Sequence, residues 1–106
     1  MFVATNRITI KRGNGEDLES RFGAQGGVEG QAGFLGFEMW KLDKDEDTEE
    51  YLIVTHWESK EANMAWIHSD SFKQAHAGPH PDYLTGPGEF KTYEIRLTRT
   101  PQAATG

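Results

Sequence analysis

Phe2-Val3-Ala4-Thr5-Asn6-Arg7-Ile8-Thr9-Ile10 is the stretch from which the fold can be read, because its residues fall into two alternating sets. Phe2, Ala4, Ile8 and Ile10 share one phase with Asn6, while Val3, Thr5, Arg7 and Thr9 take the other. A period of two marks a strand with one face turned to a core. That face is apolar except for a single amide.

Working outward, Lys11-Arg12-Gly13-Asn14-Gly15 turns the chain, and Asn14 stands where it can cap a helix running through Leu18 and Phe22 towards Gly26-Gly27. Gly33 opens a second strand over residues 34–42. An acidic run, residues 43–50, reads as a solvated turn. Tyr51-Leu52-Ile53-Val54-Thr55-His56-Trp57 follows, dense in β-branched and aromatic residues, and completes a hairpin. Ser59 is placed to cap the next helix, with Ala62, Ala65 and Trp66 on its apolar face. His68-Ser69-Asp70-Ser71 interrupts that helix, and Ser69 or Asp70 can cap a short continuation over residues 72–77. Gly78-Pro79-His80-Pro81 stops it, a loop runs to Gly88, and residues 90–98 alternate again as a last strand. Residues 1–99 form the expected domain and residues 100–106 a frayed tail.

The order strand, helix, strand, strand, helix, strand defines an α+β fold, the ferredoxin-like split βαβ sandwich, with one antiparallel sheet and both helices on one face. The second face needs cover. Trp40, Phe37, Trp57 and Tyr93 are available for pairing with another copy, so a homodimer forming a dimeric α/β barrel is expected, with a pocket between the two sheets.

Composition narrows the functions. The chain has 106 residues, enough for one domain but too few for separate cofactor and substrate domains. Its net charge of −6 argues against nucleic acid, which requires a basic face. No apolar run approaches the roughly 20 residues of a membrane helix, and Met1 leads into the first strand without a secretory pattern. With no cysteine there are no disulfides, thiolate nucleophiles or cysteine-ligated metals, which fits a cytoplasmic setting and leaves metal chemistry to His, Asp and Glu.

Three residues stand out. Asn6 brings an amide into an apolar face, where it either finds a backbone partner or waits for a polar ligand atom. Trp66 is ordinarily a core residue. His76, ten residues on, would lie about 1000° around an unbroken helix, away from Trp66. The break at residues 69–71 lifts that restriction, although a histidine near a helix C-terminus is also at home as a plain cap. His76 and His80 have i, i+4 spacing, but Gly78 and Pro79 between them deny the helix a zinc pair requires. Gly13-Asn14-Gly15 lacks the third glycine of a dinucleotide fingerprint, where Leu18 stands instead.

Asn6, Gly33-Phe34-Leu35-Gly36-Phe37, Val54-Thr55-His56-Trp57-Glu58-Ser59, Trp66 and Phe72-Lys73-Gln74-Ala75-His76-Ala77 together resemble the IsdG-type haem-degrading monooxygenases of the antibiotic biosynthesis monooxygenase superfamily. The similarity runs from Phe2 to about Leu97. It implies that His76 is the proximal ligand of haem iron, that Asn6 can hydrogen-bond dioxygen on the distal side, and that Trp66 presses the porphyrin out of plane. Haem would be both cofactor and substrate, with O2 and an external electron donor, a reductase or a small reductant. Two positions depart from the pattern. Gln25 stands where some relatives carry a basic residue, and Gly78-Pro79-His80-Pro81 shortens the segment after His76. Arg7, Arg21 and helix N-termini are the candidates for the haem propionates. Three other readings remain: a cofactor-free oxygenase of quinols or polyphenols, a non-catalytic haem carrier, and a dimeric interaction module.

Overall fold

A computed structural model describes residues 1–24, 26–43, 47–77 and 80–102. Its elements are β1 (Phe2–Lys11), α1 (Gly15–Ala24), β2 (Phe34–Lys41), β3 (Thr48–Trp57), α2 (Lys60–Ile67), α3 (Asp70–Ala75) and β4 (Glu89–Glu94). The strands form one antiparallel sheet in the order β2-β3-β1-β4, the ferredoxin-like arrangement expected from the element order.

Alternation on β1 decides which face the helices cover. Ile10 packs with Leu18 of α1, Tyr51 of β3 and Tyr83, while Phe2 packs with Trp57 and with Trp66 of α2. Both clusters therefore lie on the side of Phe2, Ala4, Asn6, Ile8 and Ile10. Cross-strand register carries the same face through Trp57, Thr55, Ile53 and Tyr51 of β3. Gly33, at φ +80, lets α2 approach closely, because a Cβ there would fall 2.6 Å from that of Ala62.

Several details differ from the sequence-based expectations, each for a tertiary reason. The acidic run is not all solvated turn: β3 starts at Thr48, and Glu49 is buried on the helix side. Its carboxylate accepts from the backbone N–H of Gly13 (2.9 Å) and Gly15 (3.2 Å) and pairs with Lys41 at 3.2 Å. Glu49 thus serves the start of α1, whereas Asn14 turns its amide back to donate to the Lys11 carbonyl. Burial pushes the Glu49 carboxyl up, but Lys41 and the two N–H donors outweigh it and hold it below the usual glutamate range. Residues 44–46 of the run lie outside the described residues.

In α2 the hydroxyl of Ser59 accepts from Ala62 N–H as expected, but Asn63 and Trp66 are its buried residues and Ala65 is exposed. β4 stops at Glu94 because its sole neighbour is β1; Glu94 faces Phe2, and Ile95 N–H donates to the Met1 carbonyl beyond it. Trp57 is fully buried against Phe34 on the helix side, and Phe37 shares that side, so neither belongs to the open face. That face carries Trp40 and Tyr93, each 51% exposed, with Leu52, Val54 and the ion pairs of Arg7 with Glu50 and Glu89. Among the described residues no helix is long and apolar enough to cross a membrane.

Candidate functional site

On the helix side, the sheet and the three helices leave a cavity of about 140 Å³. Its sheet wall includes Asn6, Ile53 and Thr55; its helical wall includes Trp66, Phe72 and His76. A second cavity, of about 310 Å³, opens beside it and shares Asn6, Phe22, Ala75 and His76. Joined through those residues, the two fall within the lower part of the size range of small-molecule and cofactor sites. They lie within one chain, under the helices. The expected site residues are thus gathered within one chain and not in a space between two sheets.

Asn6 reaches the cavity because of its phase on β1, between Ile53 of β3 and Phe90 of β4. Its side chain makes no hydrogen bond among the described residues, so the amide remains available to a ligand. Gly88 lies against it, close enough that a Cβ would fall 2.5 Å from Asn6 Oδ1. The indole of Trp57 donates to Thr55 Oγ1 at 2.9 Å, which satisfies the one polar group of that buried ring below the cavity wall.

The break between α2 and α3 brings Trp66 and His76 to one cavity. Ser69 caps α3, accepting from Phe72 N–H at 3.1 Å, and donates its own hydroxyl to the Trp66 carbonyl at 2.6 Å. Phe72 meets Trp66 edge-on, with ring centroids 5.5 Å apart at 89°, and stacks on His76 at 4.0 Å and 27°. His76 is the C-cap of α3. Its Nδ1 lies 2.9 Å from the Phe72 carbonyl. A carbonyl can only accept, so Nδ1 carries the proton and Nε2 of the neutral ring keeps its lone pair.

Of the two arginines expected to serve carboxylates, only Arg21 lines the second cavity. It is held by Asp17 at 2.9 Å, and Asp17 also accepts from Tyr83 at 2.6 Å. The Tyr83 hydroxyl and then the Arg21 guanidinium keep the Asp17 carboxyl below its usual range, and the hydrogen bond from Arg21 to Asp17 raises the Arg21 pKa further. Arg7 points to the opposite face and is paired there with Glu50 and Glu89. Gln25, Gly78 and Pro79 lie outside the described residues; His80 and Pro81 line the second cavity. Among the described residues no three His, Asp or Glu side chains are grouped to hold a metal ion by themselves.

Sequence reasoning missed Phe72, Gly88 and Thr55 as parts of the site. The i, i+4 spacing of Phe72 and His76 was a usable signal for the first. Nothing local marked Gly88, which meets Asn6 across 82 positions of chain.

The sheet is thus antiparallel and ferredoxin-like, and the cavity under its helices is lined by an amide, an indole and an imidazole among apolar side chains. The chain belongs to the antibiotic biosynthesis monooxygenase family, whose profile matches residues 1–78. It is 37% identical over 105 residues to a heme-degrading monooxygenase of Shouchella clausii, covering 97% of each chain. It is 43% identical over 76 residues to a staphylobilin-producing heme oxygenase of Staphylococcus epidermidis, covering 72% of this chain and 73% of that one. Among solved structures, the heme-degrader MhuD of Mycobacterium tuberculosis, with two hemes bound in its active site, superposes with a TM-score of 0.74 at 33% identity. That match covers 94% of this chain and all of MhuD.

Proposed function

We propose that this chain is a haem-degrading monooxygenase that holds haem through His76 and opens the porphyrin with O2. The observation that carries the reading is the state of His76. Its Nδ1–H is committed to the Phe72 carbonyl, so Nε2 is free to ligate, in the cavity that also contains the Asn6 amide, unpartnered among the described residues. An imidazole that donates its other N–H to a backbone carbonyl is the usual state of a metal-ligating histidine. Bound haem supplies iron for oxygen chemistry with electrons from an external donor, and its own ring is oxidised to a bilin-like product with release of iron.

The residues around it have separable tasks. Asn6 offers amide N–H donors to an oxygen atom in the cavity. Trp66, 8% exposed and braced by Phe72, would present a rigid aromatic wall against which a bound macrocycle would pack. Arg21, fixed at the rim by Asp17, is suited to a propionate and offsets the overall negative charge of the protein. The open sheet face, with Trp40 and Tyr93, fits burial against a second copy in a homodimer. A sequence without cysteine fits a reducing, cytoplasmic setting.

Titrating haem into the wild type and His76→Ala, then adding ascorbate or a reductase in air, tests the reading. One haem per chain, a changed spectrum in the variant and bleaching of the Soret band to an extractable bilin-like pigment are expected. Binding without bleaching would make the protein a carrier. No binding at micromolar protein would rule out haem altogether.

A further inference from the structure

Phe72 makes four contacts with His76 and Trp66, both of which line the cavity. Its ring stacks on His76 with centroids 4.0 Å apart and meets Trp66 edge-on at 5.5 Å. Its carbonyl accepts both from His76 Nδ1 at 2.9 Å and from the His76 backbone N–H at 3.1 Å. Its own N–H is held by Ser69, whose hydroxyl is tied in turn to the Trp66 carbonyl. A histidine at a helix end otherwise has a broad, two-fold freedom about its terminal torsion, and either ring nitrogen can carry the proton. At His76 the stack on Phe72 sets the plane of the ring, and of the two flips that share this plane the one adopted points Nδ1 at the Phe72 carbonyl.

We propose that Phe72 is the positioning residue for His76: its ring fixes the imidazole plane and its carbonyl fixes the proton on Nδ1, leaving Nε2 to the cavity. The carbonyl is present in any substituted chain, so the side chain is what keeps the imidazole aligned with it. The consequence for ligand binding rests on the haem reading above, whereas the consequence for the free protein does not.

The test has two arms. In the ligand-free protein, imidazole nitrogen NMR is expected to show one neutral tautomer for His76, protonated at Nδ1, in the wild type and in Phe72→Tyr, which keeps the stack. Phe72→Leu is expected to give a mixture of tautomers. In the second arm, manganese protoporphyrin, a probe that need not turn over, is titrated into the same proteins. Phe72→Leu is expected to weaken binding about tenfold, the lower end of what losing a supporting partner of a metal ligand costs, and Phe72→Tyr to restore it. A wild-type His76 protonated at Nε2, or a tautomer unchanged in Phe72→Leu, overturns the inference. Equal manganese protoporphyrin affinity for His76→Ala and wild type would refute the haem reading while leaving the tautomer result standing.

Discussion

Replacing Gly88 by alanine should move Asn6, to which the three atoms nearest the new Cβ all belong. A Cβ built at Gly88 falls 2.5 Å from Asn6 Oδ1 and 3.2 Å from its Cγ and Nδ2, whereas ordinary contact begins at 3.4 Å. The amide must therefore shift by roughly 1 Å, since close-packed interiors give little. Overpacking of this kind costs about 1 to 3 kcal/mol. The low end applies here, because what must move is the end of a half-buried side chain and Gly88 itself needs no left-handed backbone. Misplacing a positioning group by about 1 Å can cost as much as two orders of magnitude in rate. Haem degradation by Gly88→Ala should accordingly fall on the order of 10- to 100-fold in kcat/KM, with Tm lowered by about 4 to 8 °C, the shift that about 1 kcal/mol produces in a domain of this size. The decisive measurement is a double-mutant cycle with Asn6→Ala, followed by turnover in air with a fixed reductant. In the Asn6→Ala background the new methyl group has no amide to displace, so Gly88→Ala should add almost nothing, a coupling of about 1 to 3 kcal/mol. Equal losses in both backgrounds would show that Gly88 acts on something other than Asn6 and would refute the reasoning.

Glu49→Gln should destabilise the fold by about 1 to 3 kcal/mol near neutral pH, because it removes the charge that serves Lys41 and the N–H groups of Gly13 and Gly15. The folded-state pKa of Glu49 is lowered, so its contribution is complete above the ordinary glutamate range and is lost as pH falls through the folded value. Urea denaturation of the two proteins should therefore differ at neutral pH and converge in acid; a constant gap would show that charge is not the cause. Trp40→Glu places a charge among the apolar residues of the open sheet face and should turn a wild-type dimer into monomer by light scattering at micromolar protein. A wild type that is already monomeric would remove the dimer from the account. His76→Ala should lose the spectrum of ligated haem, and the same spectrum in the variant would assign the iron ligand elsewhere.

The sequence by itself determined the element order, because alternation on Phe2 to Ile10 and the β-branched and aromatic density of Tyr51 to Trp57 both read as strands. It also singled out Asn6 by phase, and the broken helix by the run His68 to Ser71, within which the structure chose Ser69 over Asp70 as the cap. What it did not contain was any contact made across the fold. Glu49 sits in an acidic run that reads as solvent-facing, and only the pairing of β3 with β1 carries it beneath the start of α1. Trp57 and Trp40 look alike as strand tryptophans, yet register buries one completely and leaves the other half exposed. Gly88 meets Asn6, and Tyr83 meets Asp17, because β1 pairs with β4 and with the segment before it. Residue type and periodicity are local properties of the chain and survive in the sequence. Proximity between distant segments exists only once tertiary packing has closed: the hydrogen bond from His76 to the Phe72 carbonyl is local to the end of α3, but its place in one cavity with Asn6 is not.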